Sequence, residues 1–146
     1  MRINFRKELL EPIERGTKTT TIRTWPASWK NRVRPGQDVW FAFGRRDRPV
    51  LRRAKIEEVR IFDLASAIRW LRILRRSHCR ISRRLADRKL VAFFKKNAVL
   101  REALAKSIPS TDEQEVFETF LAVLDELLEK RRTELFAIGF RLHSHS

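Results

Sequence analysis

Apolar positions in the first half of the chain follow the pattern of paired β-strands. Residues 39–43 are an uninterrupted apolar run, which is typical of a buried strand. The next six residues, 44–49, contain glycine, proline and four charged side chains, and this composition predicts a turn. A second extended stretch follows over 50–61. The pattern therefore predicts a β-hairpin.

The pattern becomes helical near Asp63. Apolar side chains gather on one side of a helical wheel and arginines gather on the other side. The apolar group is Trp70, Ile73, Leu74, Ile81 and Leu85, and the arginine group is Arg69, Arg72, Arg76, Arg80 and Arg83. We expect the apolar side to pack and the arginine stripe to face solvent. A break within 77–82 is allowed, so one long helix and two shorter ones both remain open.

Two more helices are predicted before the chain ends. One covers 89–106 and stops at residues 108–110, which include a proline. Residues 110–113 have the composition of an N-terminal cap for the second helix, with acidic side chains in its first turn. Its expected buried face is Val116, Phe117, Phe120, Leu121, Val123, Leu124, Leu127 and Leu128. The basic residues 130–132 suit the C-terminal end of its dipole.

Residues 16–23 combine a turn, a strand and two cations. A short helix over 11–15 has proline in its first turn, and Gly16 follows its end, where a left-handed residue is favoured. The β-branched residues 19–22 favour an extended chain. Thr21 and Arg23 then share one strand face, while Lys18 lies where the strand begins. Hydroxyl groups and cations converge there, which indicates a site for a polyanion.

This arrangement resembles the ASCH domain family, whose members are PUA-like β-barrels. In that family a first helix leads into the spacing G-x-K-x-x-x-x-R, which Gly16, Lys18 and Arg23 match, and a glycine turn like that at 36–38 leads into the next strand. The resemblance covers about 5–64 and returns over 134–140, and the middle of the chain lies outside it. It implies an α+β fold, a PUA-like β-barrel of the ASCH type with a long, mostly helical insertion over 63–132 before the closing strand. The length of 146 residues suits a single ASCH/PUA-like domain over 1–146.

Positive charge is concentrated in the first 106 residues. The chain has 33 Lys or Arg and 18 Asp or Glu, a net charge of +15. Residues 107–146 hold 4 basic and 8 acidic side chains, so residues 1–106 hold 29 and 10, a net charge of +19. Such an excess attracts nucleic acid, and the guanidinium group suits phosphate clamping and base stacking. RNA or another nucleic acid is therefore the expected partner, although base composition of the genome or heat adaptation would also enrich arginine.

Other partners and cofactors are not expected from the sequence. No stretch of 18 or more apolar residues occurs, so we expect no membrane association and a cytoplasmic location. Cys79 has no second cysteine with which to form an internal disulfide or a cysteine-based zinc site. His143 and His145 lie at the chain end, where a metal site is not expected. We expect no cofactor, and the oligomeric state is left open.

Aromatic side chains follow the motif directly and alternate with cations. This group is Trp25, Trp29, Lys30 and Arg32. Unpaired bases stack on aromatic rings, so these residues are candidates for RNA contact, and packing within the loop is the alternative. Trp40 alternates with core positions and Trp70 lies on the apolar helix stripe, so both are expected to be structural.

The first functional class is a binding module. The resemblance implies that RNA or a nucleotide occupies a cleft lined by Lys18, Thr21 and Arg23. The stripe residues Arg69, Arg72, Arg76 and Arg80 would widen the phosphate-contacting surface, and a solvated helix face is the alternative for them. For Arg23 the competing hypothesis is an internal clamp that pairs with a carboxylate such as Asp38.

The second functional class is an enzyme. Some ASCH proteins are amidohydrolases that remove the acyl group of N4-acetylcytidine with a lysine and a threonine of this motif and a downstream glutamate. Lys18 and Thr21 match the first two residues, whereas the glutamate has no aligned counterpart and Glu102 or Glu113 would have to replace it. A ribonuclease is also suggested for some relatives. A DNA-binding helix-turn-helix within 77–105 ranks last, because a clear turn glycine is lacking.

Overall fold

The computed structural model describes residues 1–143, and their five β-strands form one curled half-barrel sheet. The spatial order is β1-β3-β4-β5-β2, so the short strands β1 and β2 form the edges. β1 runs parallel to β3, and every other neighbouring pair is antiparallel. The strands are β1 (Arg2–Phe5), β2 (Thr20–Arg23), β3 (Asp38–Phe43), β4 (Val50–Asp63) and β5 (Glu134–Leu142).

The long strand β4 joins the two halves of the sheet. It has 14 residues, of which the first part pairs with β3 and the second part pairs with β5. The register shifts between Ile56 and Glu58, and an irregularity of this kind bends a strand and increases its twist. The sheet curls as a result, and its edges come close enough for the Arg23 side chain on β2 to reach Asn4 on β1.

Five α-helices complete the described chain. They are α1 (Leu10–Glu14), α2 (Ala65–Arg76), α3 (Arg80–Lys96), α4 (Ala98–Ser107) and α5 (Glu113–Lys130). The α+β class is confirmed, and the predicted hairpin is the antiparallel pair of β3 and β4. The predicted closing strand is β5, which lies inside the sheet between β4 and β2. The domain and insertion boundaries stay predictions.

Two apolar clusters hold the fold together. One lies on the sheet and includes Phe5, Phe41 and Ile56. The other is formed mainly by α2–α5 and includes Leu90 and Phe120. β5 contributes to both clusters, because successive side chains of a strand point to opposite faces of the sheet. Leu135 belongs to the helical cluster, and Ile138 and Phe140 belong to the sheet cluster. Burial of these side chains is the main force that fixes the helices to the sheet.

The arginine-striped segment is two helices rather than one. The backbone is extended at Ser77 and at Cys79, so the helical wheel of α2 does not continue into α3. The buried side chains are Ala67, Ile68 and Leu71 on α2 and Ala86, Leu90 and Phe94 on α3. Ile81 is 78% exposed and Leu85 is also exposed, so the expectation that they pack with Trp70 is wrong. We name α2, α3 and their connection, residues 65–96, the helical hairpin.

Polar residues explain two further differences from the predicted helices. Asn97 leaves helical geometry and its Nδ2 donates to the Phe93 carbonyl at 2.7 Å, which divides the predicted helix 89–106 between α3 and α4. Asp112 caps α5, because its Oδ1 accepts a hydrogen bond from the Gln114 amide at 3.0 Å. The cap was therefore predicted in the correct region, residues 110–113, and within that region the capping residue is Asp112.

The two tryptophans expected to be structural differ in their surroundings. Trp70 packs against the helical cluster, as the periodicity predicts. Trp40 instead occupies an outward position of β3, between the buried Val39 and Phe41, and is 46% exposed. The alternation of the strand is therefore correct, but Trp40 belongs to neither apolar cluster.

Candidate anion-binding site

A cavity of about 540 Å³ opens between the two edge strands of the sheet. We name it the edge cavity. β1 and the turn that follows it form one wall, β2 forms the opposite wall, and the end of α4 forms the floor. Its polar lining is Asn4, Arg6, Glu8, Lys18, Thr21, Arg23 and Ser107. The structure thus brings together the three motif residues that the sequence singled out.

Lys18 is fixed at this cavity by the turn that precedes β2. Gly16 has a left-handed φ of +74°, as the spacing predicts, and Lys18 follows two residues later. The Lys18 side chain is only 6% exposed. Its Nζ donates to the Thr20 carbonyl at 3.0 Å and to the Ser107 carbonyl at 2.5 Å. Ser107 is the last residue of α4, so its carbonyl lies at the negative end of the helix dipole, where a cation is favoured.

The electrostatic environment lowers the pKa of Lys18 to about 8. Burial is the main cause, because it removes water from the ammonium group, and the positive charge of Arg23 adds to it. Protonated and neutral forms of Lys18 are therefore both accessible near neutral to mildly alkaline pH. A negatively charged group in the edge cavity would raise this pKa by stabilising the protonated form.

Arg23 connects the two edge strands. Its Nε donates to Thr21 Oγ1 at 3.1 Å, and its Nη2 donates to the Asn4 carbonyl at 2.7 Å. The guanidinium group also lies 4.7 Å from the centre of the Phe5 ring, a cation–π contact. Burial lowers the pKa of Arg23 to about 10, although the charge of Glu126 acts in the opposite direction. Asp38 is not its partner, since Asp38 lies 2.7 Å from His143 Nε2 and also pairs with Arg53.

The carboxylates of the described residues lie outside the hydrogen-bond shell of these two cations. Lys18 and Arg23 donate to carbonyl and hydroxyl oxygens. Glu102 pairs with Lys106 at 2.9 Å and Glu113 pairs with Arg101 at 3.9 Å, and neither lines the edge cavity. Glu8, which sequence reasoning gave no role, is the carboxylate on its wall. The two motif cations are therefore bonded to neutral acceptors, so their charge is available to an anion.

The residues after the motif form a separate group, residues 25–32, which we name the tryptophan loop. The Trp25 ring centre lies 5.2 Å from that of Trp29 and 5.7 Å from that of Phe136, so Trp25 packs partly against the sheet. Arg32 lies 5.0 Å from the Trp29 ring centre. Lys30 pairs with Glu134 at 2.6 Å. The loop borders a second cleft, of about 300 Å³, and does not line the edge cavity.

The predicted stripe arginines all lie on the helical hairpin. Arg69, Arg72 and Arg76 are exposed on α2, and Arg80 and Arg83 are exposed in the first turn of α3. None of the five pairs with a carboxylate among residues 1–143, whereas the neighbouring Arg75 makes a two-point contact with Asp125 at 3.1 and 2.9 Å. The hairpin holds 11 Lys or Arg and one Asp, which gives it a net charge of +10. It does not line the edge cavity.

The described chain offers no arrangement suited to a metal. Within residues 1–143, no three His, Cys, Asp or Glu side chains are close enough together to hold an ion. His143 pairs with Asp38, and His145 lies outside the described residues. In the same part of the chain, no helix is both long and apolar enough to span a bilayer.

Comparisons with known proteins give no independent assignment. The chain matches no protein-family model, no curated protein and no solved structure. The resemblance to the ASCH family therefore stays a prediction that rests on the motif residues, and the function has to be argued from the geometry of the site.

Proposed function

We propose that this protein is a nucleic-acid-binding module with RNA as its preferred partner, and that its edge cavity binds a phosphate of the strand. The observation that carries the proposal is a pair of cations, the buried Lys18 and the half-buried Arg23, whose hydrogen-bond acceptors are neutral. Because the charge of Arg23 lowers the pKa of Lys18, an anion that enters between the two cations would stabilise the protonated lysine. Thr21 adds a hydroxyl group that accepts from Arg23 and retains its own proton for donation.

The charge distribution supports a polymeric anion over a small one. The helical hairpin carries a net charge of +10 outside the edge cavity, and its stripe arginines point to solvent. A nucleic-acid strand held by one phosphate in the edge cavity would gain further ionic contacts on the helical hairpin. The fold we propose for this function is a PUA-like barrel of the ASCH type, in which residues 63–132 extend the binding surface.

Binding of a fluorescent single-stranded RNA of ten nucleotides, followed by anisotropy at low salt, tests this proposal. Lys18→Met removes the buried charge, and we expect roughly tenfold weaker binding, the scale of one hydrogen bond to a charged group. Lys106→Met is the matched control, because Lys106 precedes Ser107 but pairs with Glu102 outside the cavity. Absence of RNA binding, or equal affinity of Lys18→Met and the wild type, would contradict the proposal. The same series with DNA measures the preference for RNA.

A hydrolase is the second candidate, and the lowered pKa of Lys18 favours it. A lysine with a pKa of about 8 can take the proton of a hydroxyl nucleophile, and Thr21 lines the same cavity. Glu8 would supply the carboxylate that the motif lacks. Because binding is the preferred function, we expect little or no acetate release from N4-acetylcytidine. Rapid release that disappears in Thr21→Val would replace the binding proposal with the enzymatic one.

A further inference from the structure

An exposed aromatic side chain lies on the outer face of the sheet, away from the edge cavity and the tryptophan loop. Trp40 is 46% exposed although its neighbours in β3, Val39 and Phe41, are buried. Met1 and Leu51 are exposed beside it, and together with Arg2 and Trp40 they line a shallow depression. Large apolar side chains on a surface are most informative when they form a group, because a group often marks a binding site.

Strand register places this tryptophan between two arginines. Arg2 on β1 is the direct partner of Trp40, and Trp40 is the direct partner of Arg53 on β4. Directly paired residues share one face of a sheet, so the three side chains form a row across adjacent strands. The Arg53 guanidinium carbon lies 5.5 Å from the Trp40 ring centre, within cation–π distance. We name this row, with Met1 and Leu51 beside it, the strand-face platform.

The acidic group on this strand face is already paired. Asp38 lies two residues before Trp40 on the same strand face, and it pairs with His143 at 2.7 Å and with Arg53 at 3.7 Å. Arg2 has no carboxylate partner among residues 1–143. The platform therefore joins a flat apolar ring to a local excess of positive charge.

We propose that the strand-face platform binds an unpaired base of a single-stranded nucleic acid, which stacks on Trp40 while Arg2 and Arg53 contact the flanking phosphates. Two strand spacings separate the arginines, roughly 10 Å, so both flank one stacked base. Stacking on an aromatic ring accepts any base. The cations lie in the same row as the ring, which suits a partner that alternates flat bases with charges. The inference rests on the proposed function, since it adds a second contact for the same class of partner.

Binding of two single-stranded oligonucleotides distinguishes base stacking from phosphate contact. One is a fluorescent oligouridylate of ten nucleotides, and the other is an abasic strand with the same number of phosphates. We expect the wild type to prefer oligouridylate and Trp40→Ala to lose at least roughly fivefold in affinity for it, with little change for the abasic strand. Trp40→Phe retains a stacking surface and should recover most of the affinity. Val99→Ala, at a side chain that is 45% exposed on α4, is the matched control.

The outcomes separate this inference from the proposed function. Salt-dependent binding of both strands that is equal in Trp40→Ala and the wild type would overturn the platform and leave the proposed function intact. Absence of binding to either strand would overturn both. A wild type that self-associates in sedimentation, and loses this in Trp40→Ala while its RNA affinity is unchanged, would overturn the platform in favour of a second copy of this chain. Binding to anionic lipid vesicles that requires Trp40, with unchanged RNA affinity, would overturn it in favour of a membrane surface.

Discussion

In the edge cavity, the buried Lys18 and the half-buried Arg23 are bonded to fixed carbonyl and hydroxyl oxygens, whereas the stripe arginines of the helical hairpin lie in solvent. Both regions are basic, but burial changes what the charge does. A desolvated cation has a shifted pKa, and its hydrogen bonds fix its orientation. A solvated arginine is screened by salt and free to move. The edge cavity is therefore suited to recognition of an anionic group, and the helical hairpin is suited to electrostatic attraction of a polyanion.

The two regions should therefore respond to different variables. Affinity that comes from the hairpin should depend on ionic strength, because each phosphate contact releases counterions. Affinity that comes from the cavity should depend on pH and on side-chain geometry, because Lys18 has a pKa of about 8 and Arg23 makes directed hydrogen bonds. A substitution in one region should leave the contribution of the other region unaffected.

The largest expected effect is that of salt. Four or more phosphate contacts would lower RNA affinity at least about 50-fold between 50 and 200 mM salt. Replacing Arg72 and Arg76 together by alanine should reduce the slope of log affinity against log salt by roughly 1 to 2. The matched control removes Arg45 and Arg48, which are exposed in the turn after β3. An unchanged slope in the hairpin variant, measured by anisotropy, would show that the hairpin does not contact the strand.

The next effect concerns Arg23. Arg23→Lys keeps the charge but loses the fork that reaches both Thr21 and Asn4, so we expect about 1–2 kcal/mol of lost stability and roughly tenfold weaker RNA binding. Thermal unfolding and anisotropy on the same variant measure both. Arg52→Lys is the control, because Arg52 is also partly buried and pairs with Glu14. Lost stability with unchanged affinity would make Arg23 an internal clamp between β1 and β2 and remove it from the binding site.

A third effect, on stability alone, comes from the titration of Lys18. Its pKa falls from 10.5 to about 8 on folding, so the unfolded chain binds more protons between these values. The free energy of unfolding should therefore rise with pH in this window, by about 1–2 kcal/mol from pH 7.5 to 9.5 relative to Lys18→Met. Urea unfolding at several pH values measures it. A difference between the two proteins that is constant with pH would mean that Lys18 keeps its ordinary pKa in the folded state.

Local sequence signals predicted the elements of the site well. Gly16 adopts the left-handed conformation that its place after a short helix predicts, and Thr21 and Arg23 lie on the predicted strand. Turn chemistry and β-branching act over a few residues, so they can be seen in one sequence. The hairpin of β3 and β4 and the helical character of 65–130 follow from periodicity for the same reason.

The partners of the motif could not be predicted because they are distant in the chain. The Ser107 carbonyl that receives Lys18 Nζ is 89 residues away, and Asn4, which receives Arg23, precedes it by 19. A main-chain carbonyl has no signature in the side-chain sequence. The exposure of Trp40 could not be predicted either. Strand alternation places Trp40 on the other face of the sheet from Val39 and Phe41, but it does not show whether anything covers that face. The curl of the sheet brings Asn4 to Arg23, and the position of α4 brings Ser107 to Lys18.

Proton uptake on RNA binding tests the central claim most directly, because an anion in the edge cavity must raise the pKa of Lys18. Titration calorimetry at pH 8, in two buffers of different ionisation enthalpy, measures the protons taken up per strand bound. We predict uptake of a substantial fraction of a proton in the wild type, its loss in Lys18→Met and its retention in Arg72→Ala. Cys79→Ser serves as the background, because the pKa of the Cys79 thiol is also lowered, through hydrogen bonds from Ser82. RNA binding without proton uptake, or with equal uptake in Lys18→Met, would contradict the account.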